Sequence, residues 1–363
     1  MMRKRLSRII GSILVVGVSL AMASCTTPDN TQTTPSDTSN AATSASPTPS
    51  TDATGLPVTP SPTISQPAAS TTLDGIEATG GFGESPEVTV PSPWAIDSTK
   101  TKILVQGTGP TVGVAGLIQV NYYGVNARTG EMFDESYSGG TPAVFALNGV
   151  IPGFQKGLSG QKVGTRLIIA IPGADGYDSN GGQPSANIAI GDTLVFVADI
   201  ISCQLAVSDG QAVTVTDASL PEVTGELDAP IVTINSDQTP PSSLVVQPLI
   251  TGQGPKVGDT DGILVDYAEY IWSSGSLVRQ TYGYSPLLGS MTTALPTWVQ
   301  VLTQQATGSG VLPGWQQGLA EQTVGSRVLL VVPPDLAYPQ GDAKNKIPVD
   351  STMVYVIDIL FAA

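Results

Sequence analysis

The chain contains two similar copies of a nine-residue run, and this repeat constrains its fold more than any other feature. VIPGFQKGL begins at Val150 and VLPGWQQGL begins at Val311. Three further blocks recur in the same order: KILVQGTGPTVG with LVVQPLITGQGPKVG, LIQVNYYG with ILVDYAEY, and DTLVFVADIIS with STMVYVIDILF. The spacing between copies exceeds the roughly 20–50 residues of solenoid repeats, so the sequence predicts two similar whole domains.

Most of the patterned sequence in the first unit favours strands. β-branched and aromatic runs, bounded by Gly, Pro or Asp, occupy residues 117–123, 166–171 and 193–201. We expect a single short helix after Pro152, with Phe154 and Leu158 on one face and Gly160 at its end. One short helix on one antiparallel sheet makes an α+β domain, in which a curved, twisted sheet wraps around the helix.

The first 25 residues are typical of an export signal. MMRKRLSR is basic, and the apolar stretch Ile9–Ala23 is shorter than the roughly 20 residues of a membrane-spanning helix. It runs into AMASC, which resembles the lipobox of bacterial lipoproteins. Cys25 would then carry a lipid such as palmitate and hold the chain on the outer face of the cell membrane. Ala21-Met22-Ala23 is also an A-x-A site, so cleavage before Ser24 and simple secretion is the alternative.

Residues 26–86 are rich in Ser, Thr, Pro and Ala and contain no Lys or Arg. Such a segment buries too little apolar surface to offset the entropy of ordering, so we expect a disordered linker that tethers the domains.

Composition excludes several classes of function. The net charge of -15 disfavours nucleic acid as a partner, because an acidic surface repels phosphate. The chain has no histidine, which excludes Ser-His-Asp and Cys-His catalysis and histidine-ligated metals. Its two cysteines, Cys25 and Cys203, make no disulfide framework.

Five motifs of the first unit resemble, in order, those of FKBP-type peptidyl-prolyl isomerases. They are Val120-Asn121-Tyr122, GEMFD from Gly130, VIPGF from Val150, Gly176-Tyr177, and LVF from Leu194. The resemblance covers about residues 102–204 and again 244–361. It implies a catalytic FKBP-like domain at 87–205, an inter-domain segment at 206–239 and a divergent FKBP-like domain at 240–363. It also implies rotamase activity toward proline-containing unfolded or extended chains, binding of the macrolides tacrolimus and rapamycin, and no cofactor or metal.

The resemblance gives each pocket residue of the first unit a role. Phe154 is the platform beneath the prolyl ring, and Asp134 orients polar groups near the twisting carbonyl. Tyr177 and the Ile151 amide donate hydrogen bonds to substrate carbonyls, and Ile188 lies over the pocket. The walls are Tyr122, Phe133, Val150, Ile151 and Phe196. From the residues alone, the aromatics could equally be ordinary core side chains, Phe145 and Phe196 above all, and Asp134 could be a turn residue.

These residue types suit prolyl isomerisation. An X-Pro bond prefers trans by only about 0.5–1 kcal/mol but crosses a barrier of roughly 18–20 kcal/mol, which is the resonance energy of the amide. Twisting the bond needs neither a nucleophile nor proton removal, so the lack of histidine is no handicap. It needs a dry cavity for the ring and donors for the flanking carbonyls.

The second unit keeps part of this set. The resemblance places a second pocket at Tyr267, Leu312, Trp315, Tyr338, Ile347 and Tyr355. Val278 and Arg279 stand in place of the Phe133–Asp134 pair, and an insertion follows. Because Arg279 puts a cation where the carboxylate belongs, we expect weak or no activity in this unit.

Two functions remain open from the sequence. The first is a surface-tethered isomerase that assists the folding of exported proteins. The second is a non-catalytic peptide-binding or chaperone module that uses FKBP-like pockets.

Overall fold

The computed structural model describes residues 67–258, 261–283, 297–300 and 311–363. The export signal, Cys25 and most of the predicted linker lie outside these residues. Within them, no helix has the length and apolar character needed to cross a membrane.

The first unit has one main antiparallel sheet, one α-helix and a separate two-stranded sheet, β1–β2. Its elements are β1 (Glu77–Ala78), β2 (Val88–Thr89), β3 (Lys100–Val105), β4 (Leu117–Asn126), β5 (Glu131–Glu135), β6 (Ala143–Ala146), α1 (Pro152–Leu158), β7 (Arg166–Ile171) and β8 (Leu194–Cys203). The main sheet has the order β3-β7-β8-β4-β5, and β6 also pairs with β4. Its register shifts at Ile103/Val105, Gln119/Val120 and Gly124/Val125, and such bulges bend and twist a strand.

The second unit repeats this plan. Its elements are β9 (Gly210–Ala212), β10 (Glu222–Glu226), β11 (Ala229–Thr233), β12 (Val245–Gly252), β13 (Gly262–Ile271), β14 (Ser276–Gln280), β15 (Thr297–Gln300), α2 (Pro313–Leu319), β16 (Arg327–Val332) and β17 (Met353–Ala362). The main sheet has the order β14-β13-β17-β16-β12-β9, with β15 also on β13. The predicted α+β class is confirmed, and within the described residues each unit has one short α-helix.

The front face of each sheet is the face that packs against the helix. Gly153 and Gly157 bring α1 close to β7: a Cβ at Gly153 would lie 2.2 Å from Ile171 Cγ2, and one at Gly157 would lie 2.6 Å from Ile169 Cγ2. Gly157 weakens helix propensity, yet this close approach requires it. Pro152 occupies the start of the helix, where its missing N–H costs nothing, and the chain turns at Gly160 with a φ of 79°.

The back face of the first sheet is covered by residues 70–96, which we name the first back layer. Ile76 and Ile96 of this layer pack against Ile168, Val195 and Val197 of the sheet. The prediction of a disordered linker up to residue 86 is therefore wrong for residues 67–86. The few apolar side chains of this polar segment pack against the back face of β7 and β8, which is also apolar.

A second back layer, residues 220–234, covers the other sheet. Leu220, Val223, Val232 and Ile234 pack against a cluster that includes Leu329 and Val354. Strand β9 also joins the sheet through β12. The predicted inter-domain segment at 206–239 is thus largely part of the second domain, because its apolar residues complete that domain's second core.

Each back layer is attached by a buried ion pair. Arg166 Nε donates to Asp199 Oδ1 at 2.8 Å, and its Nη atoms donate to the carbonyls of Gly80, Gly81 and Glu84. Asp199 Oδ2 accepts the amide N–H of Gly83 at 2.7 Å. The repeat preserves the arrangement.

In the second unit, Arg327 pairs with Asp358 at 2.7 Å and donates to the carbonyl of Leu227 in the β10–β11 turn. Both ion pairs join cross-strand neighbours in the same register of the sheet.

Candidate functional site

The predicted pocket residues of the first unit gather on the front face around α1. Tyr122, Phe154, Ile188 and Phe196 are buried in one cluster, and Phe133, Val150, Ile151 and Tyr177 pack against it half-buried. They come from β4, β5, α1, β8 and the loops that enter α1 and leave β7. The sheet order makes this possible, because β8 and β4 lie side by side opposite the helix. Their roles toward substrate stay predictions.

Phe154 is the centre of the aromatic cluster. Its ring centroid lies 5.0 Å from that of Phe196 and 6.3 Å from those of Tyr122 and Phe145. Only 1% of Phe154 is exposed, so the surrounding rings close over the predicted platform. The half-buried walls are therefore the surfaces most open to a ligand, and Phe154 supports them from beneath.

Asp134 lies on strand β5 opposite Gly124, so the alternative of a turn residue is wrong. The hydroxyl of Tyr122 donates to Asp134 Oδ2 at 2.7 Å, and the amide of Glu135 donates to Oδ1 at 3.0 Å. Burial and the hydrogen bond to Asp134 raise the pKa of Tyr122. Burial, followed by the charge of Asp134, raises the pKa of Tyr177. Both phenols stay protonated at neutral pH and are able to donate hydrogen bonds.

The second unit assembles its predicted pocket in the same way. Trp315, Ile347 and Tyr355 are buried in its front core, and Tyr267, Leu312 and Tyr338 pack against them. The Trp315 ring lies edge-on to Tyr267 and Tyr355, with centroids 5.1 Å and 5.3 Å away.

One residue of this pocket was missed by the sequence reasoning. Glu269 on β13 is 1% exposed and accepts hydrogen bonds from the hydroxyls of Tyr355 at 2.8 Å and Tyr338 at 3.0 Å. Arg279 pairs with the same carboxylate and donates to Tyr338 Oη at 2.8 Å. Burial and the charge of Glu269 raise the pKa of Tyr338 to about 12.

Arg279 therefore does stand at the position of Asp134, but it meets a carboxylate supplied by the neighbouring strand. The available signal was the aligned pair DYAEY and NYYGV, in which a glutamate replaces a glycine.

Asp266 gives the second unit a pH dependence that the first unit lacks. It is buried and accepts the hydroxyl of Thr281 at 2.8 Å, and burial raises its pKa from 3.8 to about 7. The aligned residue of the first unit is the neutral Asn121. Because the folded-state pKa is raised, the folded chain binds more protons than the unfolded chain between about pH 4 and pH 7. This group's contribution to stability falls as pH rises through that window.

We expect Asp266→Asn to leave stability near wild type at pH 4. At pH 8 it should raise the free energy of unfolding of the second domain by about 4 kcal/mol, since the pKa is raised from 3.8 to about 7 and one pKa unit is about 1.4 kcal/mol. Urea unfolding of the full chain at both pH values measures the difference. Glu321→Gln, at an exposed carboxylate, is the control. An equal difference at both pH values would show that Asp266 does not titrate in this range.

Comparison with known proteins agrees with this geometry. The sequence profile described as FKBP-type peptidyl-prolyl cis-trans isomerase matches residues 110–201 and 257–360. A probable FK506-binding protein of Corynebacterium glutamicum is 38% identical over 120 residues, which are 33% of this chain and 98% of that protein.

Two further relatives show the same likeness. An FK506-binding protein of Streptomyces anulatus is 37% identical over 121 residues, or 33% of this chain and 97% of that protein. A 22 kDa FKBP-type isomerase of Escherichia coli is 33% identical over 100 residues, or 28% of this chain and 47% of that protein. The two profile matches fall on the two repeated units, and so the chain belongs to the FKBP-type peptidyl-prolyl cis-trans isomerase family, with two such domains in tandem.

Proposed function

We propose that this chain is a peptidyl-prolyl cis-trans isomerase whose first domain carries the activity. The observation that supports this most directly is the hydrogen-bonded pair of Tyr122 and Asp134. It lies in the same cluster as the half-buried side chains of Phe133, Val150 and Ile151, which we call the apolar cup. A prolyl ring placed against Phe133, Val150 and Ile151 leaves water, and the twisted amide, which is less polar than the planar one, loses less by that transfer. In this proposal Tyr177, whose raised pKa keeps its hydroxyl protonated, donates to a substrate carbonyl.

Asp134 has a positioning role in this proposal. Its carboxylate fixes the orientation of the Tyr122 ring, which forms one wall of the cup, and its charge lies close to Tyr177. No group of the site has to exchange a proton with the substrate.

The test is catalysis of X-Pro isomerisation in a short peptide by the full chain. We expect Asp134→Ala to lower kcat/KM about tenfold or more, because a hydrogen bond to a charged group contributes about 1.5–3 kcal/mol. Asp97→Ala removes an exposed carboxylate of the same domain and should leave the rate unchanged. A wild-type chain that does not exceed the spontaneous rate would rule out the isomerase. An unaffected Asp134→Ala chain would rule out this site.

We further propose that the chain acts outside the cytoplasm on exported proteins, held to the outer face of the membrane by a lipid on Cys25. The basic start, the apolar stretch and AMASC support this, and secretion after cleavage before Ser24 is the alternative. The mass of the mature N-terminal peptide separates the two. We also propose macrolide binding by the first pocket, since two relatives are named as FK506-binding proteins.

A non-catalytic peptide-binding or chaperone role, with the first pocket holding chains without turnover, is the second candidate. The observation that favours it is that Phe154, the predicted platform, is only 1% exposed, so that only the half-buried walls are open to a ligand.

A further inference from the structure

The two pockets differ at one aligned position on their central strands. Gly124 of β4 faces Phe196 on one neighbouring strand and Asp134 on the other. Glu269 of β13 faces Tyr355 and Arg279 in the same two directions. The two residues are therefore equivalent in the fold as well as in the alignment.

In the first domain, this position has room only for a glycine. A Cβ at Gly124 would lie 2.7 Å from Phe133 Cζ and 3.0 Å from Phe196 Cε1. Both rings are predicted pocket walls, and they pack edge to face with their centroids 5.5 Å apart. The absence of a side chain at Gly124 is what lets these two walls stand where they do.

In the second domain, the smaller Val278 stands in place of Phe133, and the position of Gly124 carries Glu269. The carboxylate is held by Tyr355, Tyr338 and Arg279. Tyr338 is the counterpart of Tyr177, the predicted donor to substrate. Here its hydroxyl already donates to Glu269 and accepts from Arg279.

We infer that Glu269 is the residue that keeps prolyl substrates out of the second domain. It occupies the pocket and engages the hydroxyl that would otherwise bind a substrate carbonyl. A prolyl ring entering this pocket has to displace a carboxylate that is 1% exposed from three hydrogen-bond donors, and leaving a buried charge without its partners is costly. Arg279 has 41% of its side chain exposed, so it is free to turn to solvent once Glu269 is gone. The inference rests on the proposed function, because it takes the first pocket as the open reference.

The experiment uses the full chain with the first domain silenced by Asp134→Ala/Tyr177→Phe. Glu269→Gly is added to this background, and both X-Pro isomerisation and binding of the same peptide by calorimetry are measured. We expect turnover at least tenfold above the background chain, together with measurable binding. In the Glu269→Gln chain, which keeps the shape of the side chain, the second pocket should remain closed to the peptide. Glu321→Gly is the matched control, since it removes an exposed carboxylate at a φ of 64° that glycine tolerates.

Two outcomes overturn the inference. One is a folded Glu269→Gly chain that neither binds nor turns over the peptide. The other is binding or turnover by the second domain while Glu269 is still present. If Glu269→Gly does not fold, the triple variant Glu269→Gly/Val278→Phe/Arg279→Asp, which copies the first pocket, is tested in its place. A folded triple variant that neither binds nor turns over the peptide also overturns the inference. If the wild-type chain has no isomerase activity, the proposed function fails, but calorimetry still reports whether removing Glu269 opens the second pocket.

Discussion

Replacing Asp199 by alanine is expected to lower the free energy of unfolding of the first domain by about 3–5 kcal/mol. The change leaves the guanidinium of Arg166, whose side chain is 1% exposed, without its counter-charge in the interior. It also removes the acceptor of the Gly83 amide and of the Tyr137 hydroxyl. The first back layer should loosen with it, because Arg166 and Asp199 together hold the turn at residues 80–84. Urea unfolding and limited proteolysis between residues 67 and 97 measure the two effects.

Two further variants separate the buried pair from a general effect of charge removal. Lys100→Ala breaks the exposed pair with Asp97 and should cost less than about 1 kcal/mol. Arg166→Met together with Asp199→Ala removes both charges, and it should recover much of the lost stability, because the cost lies in the uncompensated charge. The anchoring role would be contradicted if the free energy of unfolding of the Asp199→Ala chain lies within about 1 kcal/mol of wild type and its back layer still resists protease.

Replacing Phe154 by alanine is expected to reduce isomerase kcat/KM about 100-fold per folded molecule. The rings of Tyr122, Phe145 and Phe196 all rest on Phe154, so its loss lets the pocket walls shift, and a misplacement of about 1 Å can cost that much. The same change should destabilise the first domain by about 3–5 kcal/mol through the cavity it leaves. Activity is therefore normalised to the folded fraction measured by circular dichroism.

Leu158→Ala is the matched control for this prediction. Leu158 is fully buried in the same cluster, one helical turn beyond Phe154, and its truncation should cost about 2–5 kcal/mol without touching the pocket walls. We expect its activity per folded molecule to stay close to wild type. Phe154→Leu, a smaller change, replaces Phe154→Ala if the latter does not fold. Equal activity losses in the two positions would mean that Phe154 acts through stability alone.

Local pattern was enough to predict the core of each domain. The strand at 166–171 was predicted with its observed bounds, and the helix after Pro152 begins and ends where Pro152 and Gly160 place it. These elements have strong local signals: β-branched runs, a proline at the first helical position, and a glycine where a positive φ is needed. The family motifs placed the pocket residues in one cluster for the same reason, since each motif lies on one of these elements.

The back layers were missed because their own sequence carries little local signal. Ile76 is an isolated apolar residue in a polar segment, and such segments by themselves favour disorder. The relevant signal was on the other side of the interface. Strands β7 and β8 are apolar at nearly every position rather than at alternate ones, which is typical of a sheet buried on both faces. Those strands imply that a second layer covers the sheet, but they do not show which residues form that layer.

The sequence alone determined that there are two copies of one α+β unit, where each helix and the three central strands of the first unit lie, and to which family the units belong. These features depend on local pattern and on repeated motifs, both of which are written along the chain. The tertiary structure alone decided which residues cover the back faces and how the second pocket is filled. Glu269 contacts Arg279, Tyr338 and Tyr355 only because separate strands and a loop bring these residues together. In the folded domain the four polar side chains form one network of hydrogen bonds.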